Sequence, residues 1–204
     1  MTIRFHRGDL PEDYAAGAAV AIDTETLGLN PHRDRLCVVQ LSGGDGNADV
    51  VQIVKEAPRP ERLSRLLADT AVEKIFHFAR FDLGVLYHRL GVMPGPVYCT
   101  KIASKLTRTY SDKHGLKDLV RELLNVNLQK EQQSSDWGAE VLTPAQLEYA
   151  ASDVLHLHAL KEKLDLYLAR EGRTELARRC FEFLPTRARL DLAGWGDTDV
   201  FAHS

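Results

Sequence analysis

Cysteine is scarce in this 204-residue chain, and the three present, Cys37, Cys99 and Cys180, are widely separated and odd in number. That excludes a disulfide framework and any Cys-x-x-Cys metal or redox motif, suits a reducing cytosol, and leaves small buried hydrophobes as the simplest reading. No apolar run approaches the roughly 20 residues that a membrane span needs, and residues 1–9 carry Arg4 and Arg7 without a signal-peptide core. A cytoplasmic protein with no membrane partner is expected. An excess of base is missing too: 26 Lys+Arg face 29 Asp+Glu, a formal net charge of −3, so no bulk cationic field advertises a polyanionic partner. Walker and GxGxxG loops, GxSxG and HExxH are all absent, which removes nucleotide hydrolysis, dinucleotide redox chemistry and serine or zinc hydrolysis. There is no internal repeat and no low-complexity linker.

What remains is ordinary globular composition, 44% hydrophobic and 27% charged, enough for one core. A single domain over residues 1–184 followed by a tail, 185–204, is expected, the tail packing or mediating contacts between copies. Val20-Ala21-Ile22 leads into Asp23-Thr24-Glu25 as a buried strand turning polar at its end. Residues 36–42 and 48–54 read as two further strands joined by the hairpin Gly43-Gly44-Asp45-Gly46-Asn47, an antiparallel meander. Helical spacing follows at Leu63, Leu66 and Leu67, then a strand near 74–78, a helix over 80–90 ended by Gly91, a short strand at 97–100, and helices over 101–106 and 116–124. Thr143-Pro144-Ala145-Gln146 is the best helix start in the chain, with a capping Thr, Pro at the first position and Gln three residues after the cap. That helix is expected to reach about residue 170, and a last one spans 174–183. The order implies an α/β fold, a mixed sheet flanked by helices.

Three acidic pieces lie on separate elements. Asp23 and Glu25, two apart on a strand, share a face; Tyr149 and Asp153, four apart on the capped helix, share another; Asp82 opens a third element. Carboxylates brought together from distant elements repel unless protonated or bound to cations, and an all-oxygen set suits Mg²⁺ or Mn²⁺. Taken singly, each piece is equally a solvated turn or an amphipathic helix edge.

In order and in context, these pieces resemble the DEDD superfamily of 3′–5′ exonucleases in its tyrosine subtype. The resemblance runs from Ala21-Ile22-Asp23-Thr24-Glu25-Thr26 through His77-x4-Asp82-Leu83 to Ser134-Ser135-Asp136-Trp137, and then to Leu142-Thr143-Pro144-Ala145-Gln146-Leu147-Glu148-Tyr149-Ala150-Ala151-Ser152-Asp153-Val154. The last block is similar to ribonuclease D, and the likeness covers residues 18–170. Glu148 stands where the histidine branch of the superfamily has its His, and Cys99-Thr100 replaces an Asp-Thr outside the metal set. With no room for the added C-terminal helical domains of longer ribonuclease D proteins, the chain is most similar to the short stand-alone NanoRNase C type. The resemblance implies a ribonuclease H-like sheet, hydrolysis of short single-stranded RNA down to dinucleotides into 5′-nucleoside monophosphates, and a closed homo-oligomer.

Carried over by motif, Asp23, Glu25 and Asp153 would hold one divalent cation, with Asp23 and Asp82 serving a second about 4 Å away, and Tyr149 would orient the attacking water. Thr24 is a candidate backbone contact to the terminal nucleotide and Leu27 a candidate wedge between bases; His77 and Phe81 are candidates to stack or hydrogen-bond beside it. Core packing is the competing reading for Leu27 and Phe81. Single-stranded DNA as substrate, and a non-catalytic binding domain on the same fold, are the alternatives. Two divalent cations carry more charge than the formal excess of −3, so composition favours a short RNA held in a local pocket.

Other patterns have blander readings. Asp45-x-Asn47-x-Asp49 with Glu56 mimics an EF-hand loop, but Val50 stands where that loop needs glycine. His156 and His158 diverge on their helix and are read as surface. Trp137 is expected to anchor a loop near the site, and Trp195 to lie in the tail. The arginines at 170, 173, 178, 179, 187 and 189 read as a solvated face, with phosphate or subunit contact as the alternative; Lys101, Lys105 and Arg108 could form a second basic stripe.

Overall fold

The computed structural model describes residues 2–128 and 134–203. Six strands form one mixed sheet in the order β1-β4-β3-β2-β5-β6. The meander predicted from the sequence is its centre: β2 (Ala19–Thr26), β3 (Leu36–Ser42) and β4 (Ala48–Gln52) pair antiparallel. On one side β5 (Glu73–Phe76) and β6 (Val97–Cys99) add in parallel. At the other edge lies a strand the sequence reading missed, β1 (Ile3–Arg7), parallel to β4. Its run Ile-Arg-Phe-His-Arg has no apolar continuity; Arg4 and His6 instead meet Asp49 of β4 at 2.6 and 2.7 Å. Charged side chains on an outer strand also discourage edge-to-edge pairing. These contacts, and the Asp45–Asn47 turn, account for Asp45, Asn47 and Asp49 of the false EF-hand loop.

Every residue of β3 is buried, as expected for a strand covered on both faces. Alternation assigns the faces: Val39, Leu41 and Val51 enter the larger core, while Val38 and Val50 pack with Trp137, Leu142 and Ala150. The helices are α1 (Glu61–Ala68), α2 (Ala79–Leu90), α3 (Thr100–Thr107), α4 (Leu116–Leu124), α5 (Pro144–Leu155), α6 (Leu157–Arg170) and α7 (Thr174–Leu190). The long helix expected to run to residue 170 breaks at His156, which caps α5 with φ −104° and ψ −4°. His158 is not a free surface residue, since its Nε2 lies 3.1 Å from the Ser42 carbonyl oxygen.

The last helix does not end at residue 183. It continues through Pro185 to Leu190 and passes into a π-helical turn, Asp191–Trp195. An internal proline costs a helix about 3 kcal/mol, but Leu184 and Ala188 on either side of it are buried and Phe181 stacks on Tyr98 with ring centroids 4.7 Å apart. Arg80 of α2 then clamps Asp191 at 2.5 and 2.7 Å. Of the arginine-rich face, Arg178 and Arg179 pair with Glu175 and Glu182 on the same helix, which is the solvated-face reading. The second stripe does not form: Arg108 is fully buried, bonded to Glu122, Ser104 and the Lys113 carbonyl. Cys37 and Cys99 are buried and Cys180 partly so. Among the described residues, no helix is long and apolar enough to cross a membrane.

The start of α5 is as expected. Thr143 Oγ1 accepts from the Gln146 amide at 3.2 Å, and Gln146 Oε1 accepts from the Thr143 amide at 2.9 Å, a reciprocal capping box behind Pro144. Thr143→Ala should cost about 1 kcal/mol and lower the thermal unfolding midpoint by about 2–4 °C for a chain of this size; a calorimetric scan of the two proteins checks this.

Candidate active site

Strand register carries Asp23 and Glu25 to the face covered by α5. Asp23 stands opposite Gln40, and Glu25 opposite Val38, a member of the cluster packed under that helix. On α5, Tyr149 and Asp153 point back across the gap, so that Asp23, Glu25 and Asp153 each offer an oxygen within 4.8 Å of the other two. Asp82 arrives from α2 on the opposite side. It is buried, set behind Thr24, whose hydroxyl donates to Asp82 Oδ1 at 2.7 Å. Thr24 thus uses its side chain on Asp82. The sequence-predicted carboxylates and Tyr149 therefore converge, with three forming a tight cluster and the fourth set back.

Burial raises every one of these acids. Asp23 lies well above the usual carboxylate range, from desolvation and then from the charges of Asp82, Asp153 and Glu25. Glu25 is pushed up to about 9, by desolvation and then by the charges of Asp153 and Asp82. Asp82 and Asp153 rise to about 7 by burial, opposed by bonds from Thr24 and Tyr149 respectively. Tyr149 is raised too, by desolvation and by Asp153 and Glu25, so it stays a protonated donor.

This donor set fits divalent cations. It is all oxygen, and none of the ion pairs among the described residues involves these four acids. Gln40 donates through Nε2 to Asp23 Oδ2 at 2.8 Å, while its own Oε1 is buried without a partner among the described residues. A buried acceptor left over beside a carboxylate cluster is what a hydrated cation would satisfy. Sequence reasoning missed Gln40, although a lone amide inside the apolar run Leu36–Ser42 was the signal.

The acids open into a cleft of about 760 Å³. Leu27 stands on its rim, 52% exposed, and so is not part of the core. Gly138 lets the loop carrying Trp137 close on it, since a Cβ there would sit 2.8 Å from Leu27 Cδ2. Trp137 is buried against the Tyr149 ring, centroids 6.0 Å apart, anchoring that loop as expected. Phe81 is half-buried, shared between core and cleft. His77 also lines the cleft, its Nδ1 2.9 Å from Thr100 Oγ1; burial, then the Lys101 charge, pulls it down to about 3, so the ring is neutral. The sequence reading overlooked Phe78 and the α4 residues Leu116 and Lys117, which line the same cleft. Trp195 lies on the tail's π-turn, away from it.

Residues 4–169 match the family model described as 3′–5′ exonuclease. The chain belongs to that 3′–5′ exonuclease family. Ribonuclease D of Granulibacter bethesdensis is 37% identical over 154 residues, 76% of this chain and 38% of that protein. The chain thus spans well under half the length of that relative. Structures of Brucella melitensis NrnC cover 100% of both chains: one with bound Mg²⁺ at 64% identity and a TM-score of 0.95, another bound to pGG at 64% and 0.96. The mixed sheet with flanking helices is the fold of these exonucleases.

The raised acids have a measurable consequence. A carboxyl whose pKa is higher folded than unfolded adds stability below its unfolded value near 4, and that contribution is lost as pH rises through the folded value. For this site the loss spans the interval up to about 7 for Asp82 and Asp153 and about 9 for Glu25. Without divalent cations, the unfolding midpoint should therefore fall from pH 6 to pH 9. With saturating Mg²⁺ or Mn²⁺ the fall should flatten, and the gain from metal should grow with pH. Thermal scans with EDTA and with metal across that range check both.

Proposed function

We propose that this protein is a metal-dependent 3′–5′ exoribonuclease that hydrolyses short single-stranded RNA, oligoribonucleotides down to dinucleotides, to 5′-nucleoside monophosphates. The observation that carries the reading is the meeting of Asp23, Glu25 and Asp153 within 4.8 Å, beside a protonated Tyr149 and at the floor of an open cleft. The NrnC relative bound to pGG, matched over its whole length, supports the short substrate, and its Mg²⁺-bound form supports the cations. Assembly into a homo-oligomer and a cytoplasmic location belong to the same proposal.

In this reading Asp23, Glu25 and Asp153 hold one Mg²⁺ or Mn²⁺, and Asp82 with Asp23 the second. When bound, the pair supplies a lowered pKa for the attacking water and charge stabilisation for the leaving 3′ oxygen. The chain's own residues supply position. Gln40 fixes one oxygen of Asp23 and Thr24 one oxygen of Asp82, so neither carboxylate is free to rotate. Tyr149, kept protonated by its neighbours and held by Trp137, is an orienting donor rather than a base. Thr24 in β2 and Leu27 just past its end line the cleft beside the acids and would contact the terminal nucleotide, and neutral His77 lines the same cleft.

The decisive experiment is a ladder of 5′-labelled RNAs from two nucleotides upward, with Mg²⁺ or Mn²⁺. Fast loss of the two-mer and slow attack on longer chains is expected; an even descending ladder would instead mark a processing enzyme, and absence of metal-dependent cleavage would sink the reading. Asp153→Ala should abolish turnover. Tyr149→Phe, which keeps the ring packed on Trp137, should lower kcat by about 10²-fold, the order of loss for a mispositioned reactant, with little change in unfolding midpoint.

A further inference from the structure

Gln40 is the one side-chain amide in the fully buried run Leu36–Ser42 and is itself 0% exposed. A strand covered on both faces favours apolar residues, and a buried polar atom left without a partner costs stability. The amide is only half satisfied. Its Nε2 donates to Asp23 Oδ2 at 2.8 Å, while its Oε1 is buried with no partner among the described residues. Of the buried side-chain atoms left in that state among the described residues, it is the only one that can accept but cannot donate.

The surroundings explain why the protein leaves it so. Across the sheet Gln40 stands between Asp23 of β2 and Val50 of β4, with Val38 two residues before it on the same face. Val38, Val50, Ala150 of α5 and Trp137 form one apolar cluster there. The indole Nε1 of Trp137 is itself without a partner, so it does not supply the missing bond. The polar group that Gln40 does hold is Asp23, one of the three acids gathered within 4.8 Å.

We propose that Gln40 is a positioning residue through which the site selects Mg²⁺ over Ca²⁺. The inference rests on the metal-dependent reading above and deepens it. Two properties of the amide act together. Its N–H occupies Oδ2 and fixes the plane of the Asp23 carboxylate, which disfavours the swing that would let both oxygens chelate one ion. Its Oε1 offers an acceptor to water retained by a cation that Asp23 holds. Mg²⁺ demands near-ideal octahedral geometry and keeps several waters, whereas Ca²⁺ takes about six to eight oxygens and readily accepts a carboxylate through both. A carboxylate restricted to one oxygen, beside an acceptor for retained water, therefore suits the first ion and penalises the second. Gln40 does this without touching either ion.

The test measures cation binding itself, by calorimetric titration of the full chain with Mg²⁺ and with Ca²⁺ at one fixed pH and without RNA. Gln40→Met keeps the length of the side chain and removes both polar atoms. Its Kd for Mg²⁺ should rise about 10- to 100-fold, the usual loss when a group supporting a metal ligand is removed, and its Kd for Ca²⁺ distinctly less, so that the preference moves toward Ca²⁺ by about 10-fold. The unfolding midpoint in EDTA should stay close to that of the wild type, since an orphaned acceptor leaves together with the donor. Gln40→Asn, which keeps the amide but withdraws it by one methylene, should move the preference in the same direction, and it decides the matter if the Met variant does not fold. Equal losses for the two ions, no loss for either, or a lowered midpoint in EDTA with uniform loss would overturn the inference. So would a Mg²⁺ isotherm that survives in Asp153→Ala, because it would place the binding elsewhere. A wild type that binds neither ion would overturn the metal-dependent reading itself; one that binds Mg²⁺ and cleaves RNA, while the Gln40 variants keep its preference, overturns this inference alone.

Discussion

The repulsion among Asp23, Glu25, Asp82 and Asp153 sets the terms for the rest of the structure. Carboxylates held together out of water disfavour the folded state unless protons or cations neutralise them, so the surrounding framework must be stiff enough to impose the arrangement. Three features supply that stiffness. The central strand β3 is buried along its whole length and fixes the register of β2 beside it. The capping box and Pro144 fix where α5 begins, and hence which of its residues face the acids. Trp137 wedges the preceding loop against Tyr149. Each acts on position and none on charge, which leaves the charge to be cancelled by protons or by a cation.

Most of the acid set is legible in the sequence because local chemistry determines which way each residue points. Two residues apart on a strand and four apart on a capped helix are geometric statements that survive any tertiary context. Helix ends marked by Gly91 and by Thr143 are legible for the same reason. What was not legible depends on partners far away in the chain. The strand β1 exists because Asp49, more than 40 residues on, receives Arg4 and His6. The helix through Pro185 exists because Leu184 and Ala188 find the core, and burial overrides the proline penalty. Arg108 looked like one rung of a surface stripe until the fold placed Glu122 against it.

Phe78 is a different kind of omission. Its identity suggests core, and nothing in the neighbouring residues signals a positive φ. It sits at a left-handed turn between β5 and α2 with its ring exposed. Sequence patterns report where apolar side chains recur, not where one of them is held against its preference; strained positions at functional sites are where local reasoning is expected to fail.

The distribution of positive charge bears on substrate length in the proposed reaction. A protein that tracks a long nucleic acid needs a continuous cationic path, because affinity scales with the number of phosphates neutralised. Here Arg178 and Arg179 of α7 are engaged with Glu175 and Glu182, Arg108 is buried, and Arg80 and Arg187 grip Asp191. Among the described residues the cleft is lined by two cationic side chains, Lys101 and Lys117, against Asp23, Glu25, Asp118 and Asp153. Two divalent cations would cancel the charge of the four acids but would extend no path beyond them. In the proposed reaction, recognition would rest on contacts that a single nucleotide pair can make in the cleft, among them an apolar rim at Leu27. Among the described residues lining the cleft, no further cationic side chain would repay the ordering of each added nucleotide, which supports the proposed preference for short substrates.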